Sequence, residues 1–169
     1  RSKFIRQRPE DADFVDLSKM RQYLMRRSRQ MIAEVASEMK IDVLPNDVQR
    51  LSDIFVKYTV GLGVLEDILS DEHVQDIYVN APVSINPLHV VVDDEECVTN
   101  VYLSEDDLEA MISRFRSISG RPFSEAMPIL DLDLRDYRTR VSVIGSPLSK
   151  EGIAYAFRRH RSEPWTLPM

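Results

Sequence analysis

Only one cysteine, Cys97, stands among the 169 residues, so no disulfide can close within the chain. The lone thiol lies in a strand-like run and reads as filler, not as a nucleophile. Histidine is also scarce: His73, His89 and His160 have no cysteine or histidine near them at ligand spacing, which excludes a zinc site of ordinary pattern. No run approaches the roughly 20 apolar residues of a membrane-spanning helix, and no signal-peptide core is present. The five glycines form neither G-x-x-x-x-G-K-[ST] nor G-x-G-x-x-G, so the sequence has no phosphate-binding loop of those kinds. A nucleophile elbow and recognisable RNA- or DNA-binding motifs are missing too. The chain therefore lacks a complete catalytic constellation. If it takes part in chemistry, it supplies groups to a site completed elsewhere.

What is present is a globular composition, 43% hydrophobic and 30% charged, with a net charge of −6. That charge is segregated. Residues 1–50 carry eleven Lys/Arg against eight Asp/Glu, residues 51–110 only Lys57 against fourteen acids, and residues 111–169 ten basic groups against six acidic ones. Such a middle does not suit a simple nucleic-acid binder, so no nucleic-acid partner is expected. The first residue is Arg1 and the last stretch, "PWTLPM", reads as a linker cut short, so a fragment of a larger protein is expected.

Residues 12–40 read as a long helix with Phe14, Leu17, Leu24, Met31 and Val35 as an incomplete apolar stripe and Arg26, Arg27 and Arg29 on the remainder. Pro45 and Asn46 restart a helix in which Val48, Leu51, Phe55 and Tyr58 recur at helical spacing. Gly61 and Gly63 end it, and "VLEDILSD" adds a short helix. Residues 1–72 are thus expected to form a helical domain. Then the period changes. "VQDIYVN", "LHVVVDD" and "CVTNVYL" read as strands, with the acidic run "DDEE" as a hairpin turn that lacks the glycine and spacing of a calcium loop. Ser104 caps a helix with Asp107 three residues on; Leu108, Met111, Ile112 and Phe115 form its buried stripe, and Gly120 ends it. Strand-like runs follow at 129–134, 138–144 and 152–158. The fold class is α+β: a helical bundle, then over 73–163 an α/β domain with an antiparallel sheet, with 164–169 opening a linker.

The last two strands carry the candidate site. In "RTRVSVI", Val141 and Val143 point one way and Arg138, Arg140 and Ser142 the other; in "GIAYAFR", Tyr155 and Phe157 oppose Ala154, Ala156 and Arg158. An antiparallel hairpin must put the apolar sets on one side, since a one-residue slip would mix the faces. Arg138, Arg140 and Arg158 then gather over small side chains. Guanidinium groups side by side repel, so acids or an anion must offset them. Asp131 and Asp133, alternating on the preceding strand, are the intrachain choice; a phosphate suits the planar fork equally well.

These residues resemble a family. "GLGVLEDILSDEHVQDIYVNAP", "SGRPFSEAMPILDLDL", "RVSVIGSPLS", "GIAYAFRR" and "EPWTLP" follow one another as in the N-terminal region of type II/IV secretion ATPases, most closely the archaeal branch that drives type IV pili, archaella and related secretion machines. The resemblance implies a helical crown and a PAS-like domain ahead of a RecA-type P-loop motor, in a homo-hexamer at the cytoplasmic face of the membrane, docked on a membrane platform protein. It implies ATP and Mg2+ between the motor and this domain, with catalytic arginines at Arg140 and Arg158. Arg121 fits a recurrent position, and Arg135 and Arg138 are further candidates for the cofactor. One departure stands out: the family's "L-P-D-G-x-R-V" is here "LRDYRTRV", one residue longer and without the proline and glycine, so the turn before Arg140 must differ. Two other readings start from the same residues. One is a non-catalytic docking module, and the other a ligand-sensing PAS-like domain.

Overall fold

In the computed structural model, which describes residues 17–160, the N-terminal periodicities become three helices: α1 (Leu17–Met39), α2 (Pro45–Thr59) and α3 (Leu65–Ser70). Residues 12–16 of the expected first helix and the stretch 161–169, with its linker, lie outside the described residues. Pro45 occupies the first turn of α2, where its missing N–H costs nothing. The chain divides into two compact units, Arg1–Glu66 and Asp67–Met169. No described helix is long and apolar enough to cross a membrane.

The first unit has a small core of Met20, Leu24 and Val56, with Tyr23, Met25, Phe55 and Val60 packed against it. The helical stripe of α2 does not all face this core. Leu51 is 47% exposed and Tyr58 58%, while Ser52 and Val56 turn inward. A buried serine is tolerable there because its hydroxyl donates to the Val48 carbonyl at 2.7 Å, leaving no orphan donor. Glu66 is buried as well; its carboxylate accepts the Leu62 N–H at 3.0 Å and pairs with Arg21 of α1.

The second unit is a six-stranded antiparallel sheet with one long helix. The strands are β1 (Val74–Val79), β2 (His89–Val92), β3 (Glu95–Val98), β4 (Ile129–Leu134), β5 (Thr139–Ile144) and β6 (Ala154–Arg159), in the order β3-β2-β1-β6-β5-β4. The acidic run divides differently from the expectation. Asp93 and Asp94 alone make the turn, at φ 49° and 67°, and Glu95 and Glu96 already belong to β3. Short polar side chains tolerate the left-handed conformation a two-residue hairpin demands. Helix α4 (Glu105–Ser119) opens with the full Ser104/Asp107 capping box and closes on Gly120 at φ 65°. Its Leu108, Met111, Ile112 and Phe115 are buried, as are Tyr155 and Phe157 of β6. Phe115 meets both rings edge-on at 6.0 and 6.2 Å. The protein is therefore α+β, a helical N-terminal portion followed by an antiparallel sheet domain.

Candidate functional site

Period-two alternation gives the sheet two unlike faces. One carries Leu130, Val143, Tyr155 and Val79 in one cross-strand row and Leu132, Val141, Phe157 and Ile77 in the next. All are buried. The opposite face carries two polar rows. Asp133, Arg140, Arg158 and Asp76 are successive cross-strand partners on β4, β5, β6 and β1. Beside them run Asp131, Ser142, Ala156 and Tyr78, with His89 following on β2.

Arg140 and Arg158 thus stand directly opposite one another, on a floor kept low by Ala156 and Ser142. Acids at the two ends of the row offset their repulsion. Arg158 is held side-on by Asp76: Nε donates to Oδ1 at 2.9 Å and Nη2 to Oδ2 at 3.2 Å. That hydrogen bond, then the charge of Asp76, then Tyr78, raise the Arg158 pKa above its ordinary value. Tyr78 also donates its hydroxyl to Asp76 Oδ2 at 3.3 Å. Arg140 is held more loosely; its Nη2 lies 3.6 Å from Asp131 Oδ2, and 60% of its side chain is exposed. The other oxygen of Asp131 accepts a short hydrogen bond from Ser142. Asp133, though opposite Arg140 in register, pairs with His160 at 3.1 Å.

The remaining candidates lie apart from this pair. Arg138 is not in β5. It follows a 3-10 turn, Arg135–Tyr137, and sits in the left-handed region at φ 48°, a conformation glycine adopts freely. This is the altered turn that "LRDYRTRV" requires. The exposed arginines among the candidates therefore do not form one strand-borne trio: Arg140 and Arg158 are joined on the sheet, while Arg135 and Arg138 belong to the turn. Arg121 lies past the C-terminus of α4, where its Nη1 donates to the Asp131 carbonyl of β4 at 3.2 Å.

Arg159, next to Arg158, has a different task. Its Nε donates to the Val74 carbonyl, and its Nη2 to those of Leu69 and Asp71, each at 2.7 Å. It ties the end of α3 to the start of β1. The basic run "RRHR" is therefore divided: Arg158 faces outward to the site, Arg159 clamps backbone, and His160 meets Asp133. Sequence reasoning missed Asp76 and Tyr78. Their alternation in "VQDIYV" places them on one face, but nothing in that run says the face adjoins β6.

No family model matches the chain. Over 130 residues, 76% of the chain, it is 28% identical to the uncharacterized protein MJ0900 of Methanocaldococcus jannaschii; over 164 residues, 96% of the chain, it is 23% identical to the uncharacterized protein MJ0781 of the same organism. It covers 23% and 21% of these two proteins, so it spans less than a quarter of the curated relatives it matches. Among solved structures it is similar to the VirB11 ATPase from the Brucella suis type IV secretion system in complex with sulphate. The TM-score is 0.50 at 18% identity, over 61% of this chain and 30% of that one. At this identity the likeness is one of fold.

Proposed function

We propose that this chain is the N-terminal region of a hexameric secretion or pilus-assembly ATPase, of the archaeal branch, working at the cytoplasmic face of the membrane. In this reading it supplies arginines to ATP held by a RecA-type domain of the same protein. The observation that carries the proposal is the direct cross-strand pairing of Arg140 and Arg158 on the polar face of the sheet. The ordered sequence resemblance and the fold likeness to part of a secretion ATPase support it.

Two neighbouring guanidinium forks match the oxygens of a polyphosphate in geometry and charge. Phosphoryl transfer depends on stabilising charge as the bond to the leaving group breaks, and ATP with Mg2+ supplies that chemistry when bound. In this scheme the ion, like ATP, is held by the RecA-type domain. Arg140 and Arg158 sit on a rigid sheet, so they reach phosphate only when the two domains close. Closure then couples hydrolysis to movement. Arg121, Arg135 and Arg138 are secondary contacts to the cofactor in this scheme.

The test is ATP turnover by the parent protein. Arg140→Ala and Arg158→Ala should each lower kcat by about 100-fold or more, the scale of losing one transition-state donor. Wild-type turnover in both variants would instead leave the second reading, a module that docks the ATPase on a membrane platform protein. The exposed apolar side chains Leu44, Leu51 and Tyr58 on the helical hairpin favour that alternative.

A further inference from the structure

We infer that Asp76 is the resident anion of the arginine site, a carboxylate that occupies Arg158 until a polyphosphate displaces it. The inference rests on the anion-binding reading of the Arg140–Arg158 pair and adds a means of regulating it.

The two arginines are not in equivalent states. Arg140 has its nearest described acid at 3.6 Å, outside hydrogen-bonding range, and Ser142 and His160 engage the acids on its side. Arg158 has a carboxylate on its Nε and Nη2 at 2.9 and 3.2 Å, the bidentate arrangement in which arginine also takes phosphate. Exposure distinguishes the two partners. The side chain of Asp76 is only 15% exposed, while that of Arg158 is 75% exposed. The acid sits low on the sheet with Tyr78 donating to it, and the arginine folds over to reach it. The row Asp133, Arg140, Arg158, Asp76 also sums to no net charge, so it offers little long-range attraction to a free anion.

The arrangement discriminates between free and delivered anions. A phosphate in solution must compete with a carboxylate already in place. A triphosphate held by an adjoining domain competes at a far higher effective concentration and prevails. The site thus binds stray anions weakly and favours the delivered one.

The test uses the 169-residue chain and inorganic tripolyphosphate, titrated at constant ionic strength and followed by calorimetry and NMR. Asp76→Asn keeps the side-chain shape and one accepting oxygen but removes the charge. It should tighten binding about tenfold, the scale expected when a neighbouring like charge is lost. The gain should vanish in the double variant Asp76→Asn with Arg158→Ala. In the wild-type chain, the Arg158 Nε–H signal should move on titration as its bond to Asp76 gives way, a reading that needs no variant to fold. Unchanged or weaker binding by Asp76→Asn overturns the inference, as does a gain that persists without Arg158 or an Arg158 signal that stays put while the anion binds. Binding that needs Arg140 and Arg158 but ignores Asp76 leaves the anion reading intact. If no variant binds tripolyphosphate, the anion reading falls as well.

Discussion

Gly61 shows how little room one residue can have. A Cβ there would meet the Lys57 carbonyl at 2.6 Å and fall on the carboxylate of Glu66. That carboxylate is not free to retreat, because it accepts the Leu62 N–H and pairs with Arg21. Gly61→Ala must therefore shift backbone or break a half-buried ion pair, and should cost about 1–3 kcal/mol. Gly120 is the control. It needs its left-handed φ of 65°, but nothing lies within 4 Å of an added Cβ, so Gly120→Ala should cost only about 1 kcal/mol. Urea unfolding of the two variants checks the difference; equal losses would mean that the Glu66 contact does not constrain the turn. The same economy of position appears at Arg158 and Arg159. They are identical in type and adjacent in sequence, and the strand sends one to the polar face and the other to three backbone carbonyls.

At the scale of elements, β6 and α4 are joined by more than apolar packing. The Tyr155 hydroxyl donates to the Leu108 carbonyl at 2.7 Å in the interior, and burial pushes its pKa well above the ordinary value. The sign of the pH effect follows. The unfolded chain releases this proton near pH 10, whereas the folded chain retains it beyond that. Tyr155 therefore contributes fully below about pH 10 and loses its contribution as pH rises above, by up to about 1.4 kcal/mol per pH unit. Tyr155→Phe should be less stable by about 1 kcal/mol at pH 7, and the gap should close above pH 10. Denaturant curves at pH 7, 9.5 and 11 measure it; parallel profiles would falsify the assignment. The α4 half of this tie was legible from residues alone, because the capping box, the buried stripe and the Gly120 stop are all local signals. So was the sharing of faces by β5 and β6, since a one-residue slip would mix apolar and polar sides; the pairing of Val141 with Phe157 and Val143 with Tyr155 was not, because a slip of two keeps the same faces. The inward face of α2 was not legible. Periodicity favoured Leu51 and Tyr58, yet α2 buries Ser52, whose hydroxyl is satisfied by its own helix.

For the whole molecule, the decisive information was strand order. β1 lies between β2 and β6, so Asp76 meets Arg158 across 82 residues of sequence. No local pattern encodes that neighbour, whereas Asp131 and Asp133 lie only one strand away in sequence. The molecule is also unevenly provided with core. Among the described residues, five buried hydrophobics belong to the first unit and nineteen to the second. Stability grows with the apolar surface buried, so the first unit should be the weaker one. Calorimetry of the chain should show two transitions instead of one, the lower belonging to the helical unit. Val56→Ala removes part of the Met20, Leu24 and Val56 cluster, at a cost of about 2 kcal/mol, and should lower the first transition by several degrees while leaving the second in place. Phe115→Ala empties the centre of the sheet domain, where its ring touches Tyr155 and Phe157, and should lower the second transition. A single transition that both substitutions lower alike would mean that the two units fold as one cooperative body. The arginine face would then ride on the stability of the helical hairpin as well as on its own sheet.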